Sequence, residues 1–177
     1  MTSPAEKGSA LAGEEGQSKV WRARPASLFL RLLTKRPHMV FWRNAMASSE
    51  RWSLFLRRVA FREFSEAEEM LAETPELLEE RNGLGETVLH YLAVENDQEG
   101  VAWLHSKGAD LNTQNEFGTP PLYEATLLGY KGLARWMVEH GARFDLKNDD
   151  GEDFRAFAEE HEILNRYEYL KSFQENQ

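Results

Sequence analysis

Asn82-Gly83-Leu84-Gly85-Glu86-Thr87-Val88-Leu89-His90-Tyr91-Leu92-Ala93 is the stretch that decides how the rest of the chain is read. Thirty-three residues later stands Asn115-Glu116-Phe117-Gly118-Thr119-Pro120-Pro121-Leu122-Tyr123-Glu124-Ala125-Thr126, and thirty-three further Asn148-Asp149-Asp150-Gly151-Glu152-Asp153. The asparagines 82, 115 and 148 keep this period, and so do Gly85, Gly118 and Gly151. Gly108 and Gly141, Ala109 and Ala142, and Leu111 and Phe144 keep it too. A fixed period of this size marks stacked supersecondary units. Asn and Gly at a constant offset suit a tight turn, because both tolerate positive φ. Thr87 stands where a helix N-cap belongs, its hydroxyl free to accept from an orphan amide. Leu89, Leu92 and Ala93 share one helical face. Gly100 to Ser106 reads as a second short helix, with Gly108 as its left-handed stop. Each unit is then turn, short helix, short helix and loop. None is large enough to bury its own core, so neighbours must stack.

These residues resemble the ankyrin repeat. Thr87-Val88-Leu89-His90 resembles that family's Thr-Pro-Leu-His motif with Val88 in place of the proline, and Gly108-Ala109-Asp110-Leu111-Asn112 resembles its repeat end. The second unit keeps Pro121-Leu122 but carries Pro120 for the threonine and Tyr123 for the histidine. The third keeps only the Asn148 and Gly151 turn, so a degenerate terminal cap is expected there. Shifted back one period, Phe55-Leu56-Arg57-Arg58-Val59-Ala60 aligns with Val88 to Ala93, and Trp52 falls on the turn-glycine position. The stretch from Glu50 is therefore read as an N-terminal cap without the usual turn. The resemblance implies an all-α fold, a short ankyrin-repeat helical solenoid over 50–173 with units near 50–81, 82–114, 115–147 and 148–173. It also implies a structural His90, with its ring bonded to backbone near the turn.

Composition shapes the remainder. The chain has 177 residues, no cysteine and a net charge of −9. Absent thiols exclude disulfides, thiolate zinc sites and a cysteine nucleophile. Residues 1–64 hold 12 Lys and Arg against 5 Asp and Glu, whereas residues 65–177 hold 9 against 25. An acidic body argues against nucleic acid as the repeats' ligand, because phosphates need cations. Residues 1–18 read as a disordered tail. Residues 19–49 read as a basic amphipathic leader, with Lys19, Arg22, Arg24, Arg31, Lys35, Arg36 and Arg43 among Trp21, Phe29, Phe41 and Trp42 and no acid. That leader suits packing on the cap, an anionic membrane surface or organelle targeting. Residues 174–177 are expected to fray. Neither a secretory signal nor a membrane span is expected.

No catalytic constellation emerges. His105, His140 and His161 lack partners at zinc-ligand spacing. Asp149-Asp150-Gly151-Glu152-Asp153 misses the calcium-loop pattern, and Gly83 and Gly85 lack the lysine of a phosphate loop. No enzyme, cofactor or metal site is expected. Ser65-Glu66-Ala67-Glu68 reads as a capping box. The family resemblance places a partner-binding concave face on Leu84, Glu86, Tyr91 and Glu95 of the first full unit. It adds Phe117, Thr119, Glu124 and Leu128 of the second, and Asp150, Glu152 and Phe157 of the third. The expected function is non-catalytic protein binding by a cytoplasmic monomer, to a partner whose contact surface is basic. The alternatives are a peripheral membrane adaptor held by the leader, and a small immunity-type protein that neutralises a basic toxin enzyme.

Overall fold

The computed structural model describes residues 49–175. The expected tail, and the leader except Ser49, lie outside the described residues. Among the described residues eight α-helices follow one another and there is no strand. They are α1 (Glu50–Ala60), α2 (Phe64–Glu73), α3 (Val88–Val94), α4 (Gln98–Ser106), α5 (Pro121–Leu128), α6 (Lys131–Glu139), α7 (Phe154–Glu160) and α8 (Leu164–Glu175), with a 3₁₀ turn at Pro75–Leu78. They pair as four antiparallel hairpins. The first helices pack in a row, α1 on α3, α3 on α5 and α5 on α7, while α8 packs on α6. This is an all-α ankyrin-repeat solenoid.

Three layers of sequence make the pairs. The first is the turn before each full unit. The Asn82 backbone N–H donates to the Glu86 carbonyl at 2.9 Å, and its side-chain Oδ1 accepts from the amides of Leu84 and Glu86. Asn115 does the same for Phe117 and Thr119, and Asn148 for Asp150 and Glu152. The second layer is the cap. Thr87 accepts from the His90 amide while its own amide donates to His90 Nδ1, so the histidine closes a capping box.

The third layer lies at the elbow between paired helices. Arg62, Asn96, Gly129 and Glu162 all have left-handed φ, at 65°, 58°, 81° and 58°. One residue beyond each, an amide reaches back over the turn: Glu63 to Arg58, Asp97 to Leu92, Tyr130 to Ala125 and Ile163 to Ala158, all at 2.8–2.9 Å. That bond closes the Schellman arrangement at a helix end. The elbow recurs in the degenerate end units, where the Asn–Gly turn is missing or open. It identifies α1–α2 and α7–α8 as members of the same series.

The elbow also overturns one expectation. Helix α2 begins at Phe64 with Glu63 at its N-cap and no side-chain cap, so Ser65 lies inside the helix and forms no capping box. Glu63 pairs instead with Arg58 across the elbow. The core runs without a break along the stack, through Trp52, Phe55, Leu89, Leu92, Leu104, Leu122, Leu133, Met137 and Phe154. Leu89 and Leu122 are buried at 1% and 0% exposure, as their motif positions require. Trp52 is an interior residue of α1, donating from Nε1 to the Glu80 carbonyl at 3.0 Å. That explains why no turn forms at its position.

Candidate protein-binding groove

The turns stand beside α3 and α5, whose least buried positions are half-buried. Successive turns touch directly, the Glu116 amide donating to the Leu84 carbonyl at 3.1 Å. Two side chains missed by sequence reading bind the row. Arg81 Nη1 donates to the carbonyls of Gly85 and Gln114, and Gln114 Nε2, one period later, donates to those of Gly118 and Lys147. The shared period of positions 81 and 114 was available in the sequence. Two different residue types did the same work and hid it.

The structure brings Glu86, Tyr91, Glu95 and Glu124 into one electrostatic neighbourhood. Glu86 is only 4% exposed and accepts from Asn82 Nδ2 at 2.8 Å. Burial raises its carboxyl above the usual carboxylate range, against the opposing Asn82 hydrogen bond, and the Glu116 charge adds to the rise. Glu124 has no hydrogen bond or ion pair among the described residues, and burial followed by the Glu86 charge pushes its carboxyl up to about 8. The residue is half-buried, so its carboxyl meets some solvent as well as the Glu86 charge. Tyr91 is half-buried with its ring edge-on to Trp52 at 6.1 Å, and burial, then Glu95 and Glu86, push its hydroxyl up to about 12. Burial and Glu95 raise Tyr130 in the same direction. The groove thus gathers carboxyls and tyrosine hydroxyls, and no cation is paired with Glu86 or Glu124 among the described residues.

The other named positions stand apart from this group. Leu84, Phe117 and Leu128 are half-buried along the row, and Asp150 is exposed at the last turn. Glu152 is tied to Asn148 Nδ2 at 3.0 Å. Thr119 is buried at 7% exposure, its amide held by Asn115. Phe157 is equally buried, stacked on His161 at 4.2 Å and tilted against Tyr123 at 5.4 Å. Thr119 and Phe157 therefore present little side-chain surface to a partner. Thr119 closes its turn, and Phe157 faces back into the stack because α7 is the last first-helix and needs a lid.

His90 is enclosed at 1% exposure. Its Nδ1 serves the Thr87 cap, while Nε2 has no partner in hydrogen-bond geometry, although the Thr113 and Thr119 backbone lies close enough to favour a charged ring. Burial outweighs that help and lowers the imidazole to about 4, so the ring is neutral and structural at neutral pH. Among the described residues no His, Asp and Glu group is arranged to hold a metal, and no helix is long and apolar enough to cross a membrane.

Comparison with known proteins agrees with the architecture. Residues 89–137 match the family described as ankyrin repeats (many copies). Protein phosphatase 1 regulatory subunit 27 of Homo sapiens is 37% identical over 68 residues, 38% of this chain and 44% of that protein. Ankyrin repeat protein OPG189 of Variola virus is 37% identical over 65 residues, 37% of this chain and 12% of that protein. Palmitoyltransferase AKR1 of Saccharomyces cerevisiae is 32% identical over 80 residues, 45% of this chain and 10% of that protein. The matches thus span less than half the length of these relatives. Residues 89–137 are thus ankyrin repeats, stacked units that serve as protein-interaction modules.

Proposed function

We propose that this chain is a non-catalytic binding module that takes a protein partner along the groove of turns and first helices, and that the partner brings a cationic side chain to Glu124. One observation carries the reading: a half-buried carboxyl with a second carboxyl acting on it and no cation paired with either among the described residues. Burial and the Glu86 charge disfavour the ionised form of that carboxyl, and an incoming ammonium or guanidinium favours it. Tyr91 and Phe117, half-buried and flanked by acids, provide apolar contact of the kind that dominates interface energetics. Exposed Glu95 and Glu116 sit where they speed encounter more than they strengthen the complex. The name of the human relative, a regulatory subunit, fits a role exercised through binding.

Affinity capture from the native cell, with cross-linking to map the contacted residues, tests this. Glu124→Lys and Tyr91→Ala should each release the partner while melting curves show the fold intact. Partner recovery unchanged in both variants, with cross-links mapping away from α3 and α5, overturns the reading. Glu86 is unsuited to the test, because its side chain holds Asn82 and reversing its charge would break the turn itself.

A further inference from the structure

The last unit departs from its predecessor at one joint. In α6, Gly132, Leu133, Trp136 and Met137 hold the positions taken in α8, thirty-three residues on, by Asn165, Arg166, Tyr169 and Leu170. Leu133 is 1% exposed and fills its joint. Arg166 stands in the same register and leaves a cavity of about 90 Å³ between the α5–α6 elbow and α8. Lys131, Tyr130, Asn165 and Tyr169 also line it. A drug-sized ligand needs roughly 300–1,000 Å³, so this volume suits one small group.

Among the described residues the cavity's two cations have no carboxylate partner, and one of them is fixed. Arg166 Nη1 donates to the Thr126 carbonyl at 3.0 Å and the Leu127 carbonyl at 2.6 Å, which holds the guanidinium beside Gly129 with neutral acceptors alone. Lys131 opens α6 and lies 5.8 Å from the Tyr169 ring centre. Neither has a carboxylate within ion-pair distance among the described residues, whereas Arg58, Arg62, Arg135, Arg143 and Arg155 each have one. Arg51, Arg57, Arg81, Lys147 and Lys171 also lack one among the described residues, and what sets Lys131 and Arg166 apart is that they line one cavity together.

The preceding unit shows what the site lacks. Asp97, one period before Tyr130, accepts from the Gly100 amide at 3.0 Å at the start of α4, and Arg62 grips both its oxygens at 2.9 and 2.6 Å. At the start of α6 no side chain caps the helix, and the amides of Gly132 and Leu133 have no acceptor among the described residues. Unit two carries its own carboxylate at this place; unit three has cations and free amides there instead.

We propose that this cavity binds one oxyanion group, a carboxylate or a phosphate, with Arg166 and Lys131 as its charge partners. A guanidinium already oriented by carbonyls offers its remaining N–H groups at little further entropic cost, and a planar fork matches both groups. The adjoining start of α6 adds a favourable dipole end. The Glu95 carboxylate acts on Tyr130 from the groove, so the anion belongs on the Lys131 and Arg166 side. The site uses other residues than the groove and does not depend on the function proposed for it.

The test is amide NMR on the full chain, titrated with phosphate, acetate and chloride at constant ionic strength. Saturable shifts at Gly129, Lys131, Gly132 and Leu133 with an oxyanion but not with chloride are expected. Lys131→Gln, an exposed change that spares the fold, should weaken that binding by about fivefold or more, and Arg166→Gln should weaken it further. A melting curve on each variant separates lost binding from lost structure. A capped peptide with one glutamate or phosphoserine identifies the source: tighter binding than the free anion means the group arrives on a chain, and equal binding means a free anion. No saturable shift with either oxyanion, or shifts unchanged in Lys131→Gln, overturns the proposal.

Discussion

The turns at Gly118 and Gly151 share their hydrogen bonds and differ in their surroundings. Both glycines are left-handed, at 69° and 79°, and in both turns an asparagine Oδ1 gathers two amides. Yet a Cβ on Gly118 would lie 2.5 Å from Asn148 Cα and 2.7 Å from the Asp149 amide nitrogen, while one on Gly151 would meet nothing within 4 Å. Gly85 resembles Gly118, its Cβ position 2.5 Å from the Glu116 nitrogen. Local sequence makes the turn, and the next unit locks it. The stack therefore has a tight interior and a loose final turn built from the same letters.

The largest expected effect tests the interior itself. Leu122→Ala should destabilise the protein by about 2–5 kcal/mol, since it empties a fully buried site between units. Chemical denaturation with the midpoint and slope compared to the parent measures it, and an unchanged midpoint would count against the stacked core. The next pair isolates the contrast. Gly118→Ala should cost about 2–4 kcal/mol, from left-handed strain plus backbone collision. Gly151→Ala should cost only about 1 kcal/mol, from strain alone. Equal losses would mean that the covering turn contributes nothing.

Acid sharpens the comparison further. His90 titrates near 4 in the fold against an ordinary 6.5, so the unfolded chain binds the extra proton between those values. Stability should fall as pH drops through that window, by about 1–3 kcal/mol, and His90→Asn should remove most of that slope while lowering stability throughout. Glu124 runs the other way. Its folded value of about 8 lies above its ordinary 4.5, so the folded chain holds the extra proton and stability declines as pH rises from 4.5 to 8. Thermal melts of Glu124→Gln across that range should show a flatter profile and a gain confined to the alkaline side.

How much of this was legible depended on whether geometry restricts residue type. The turn period was readable because left-handed φ beside a crowded backbone leaves little but glycine, and an Asn side chain is the natural acceptor for two amides. The elbow period was not, although it is the more complete of the two. Arg62, Asn96, Gly129 and Glu162 share one backbone conformation and no side-chain chemistry, because three of the four elbows carry a Cβ in spite of the strain. The groove was legible as a face but not residue by residue. Nothing in the sequence said that Glu86 would turn inward to Asn82, because the bond spans a turn whose closure is set by the whole unit. Phe157 looked like Tyr91 two units on, and its burial follows from α7 being last in line.

Asn82 is followed by Gly83, the pairing in which an asparagine most readily cyclises onto the next amide nitrogen and ages into aspartate or its isomer. In the folded protein that side chain is 8% exposed, and its oxygen and nitrogen are both engaged, with Leu84, Glu86 and the Glu86 carboxyl. The reaction needs the side chain swung free, so it runs in the open chain. Once it has run, a new carboxylate faces Glu86 where an amide donor stood, and the turn has lost the group that closed it. Each excursion to the unfolded state thus risks a one-way chemical step at the first repeat, and the fraction of Asn82 still intact records how long the molecule has spent open.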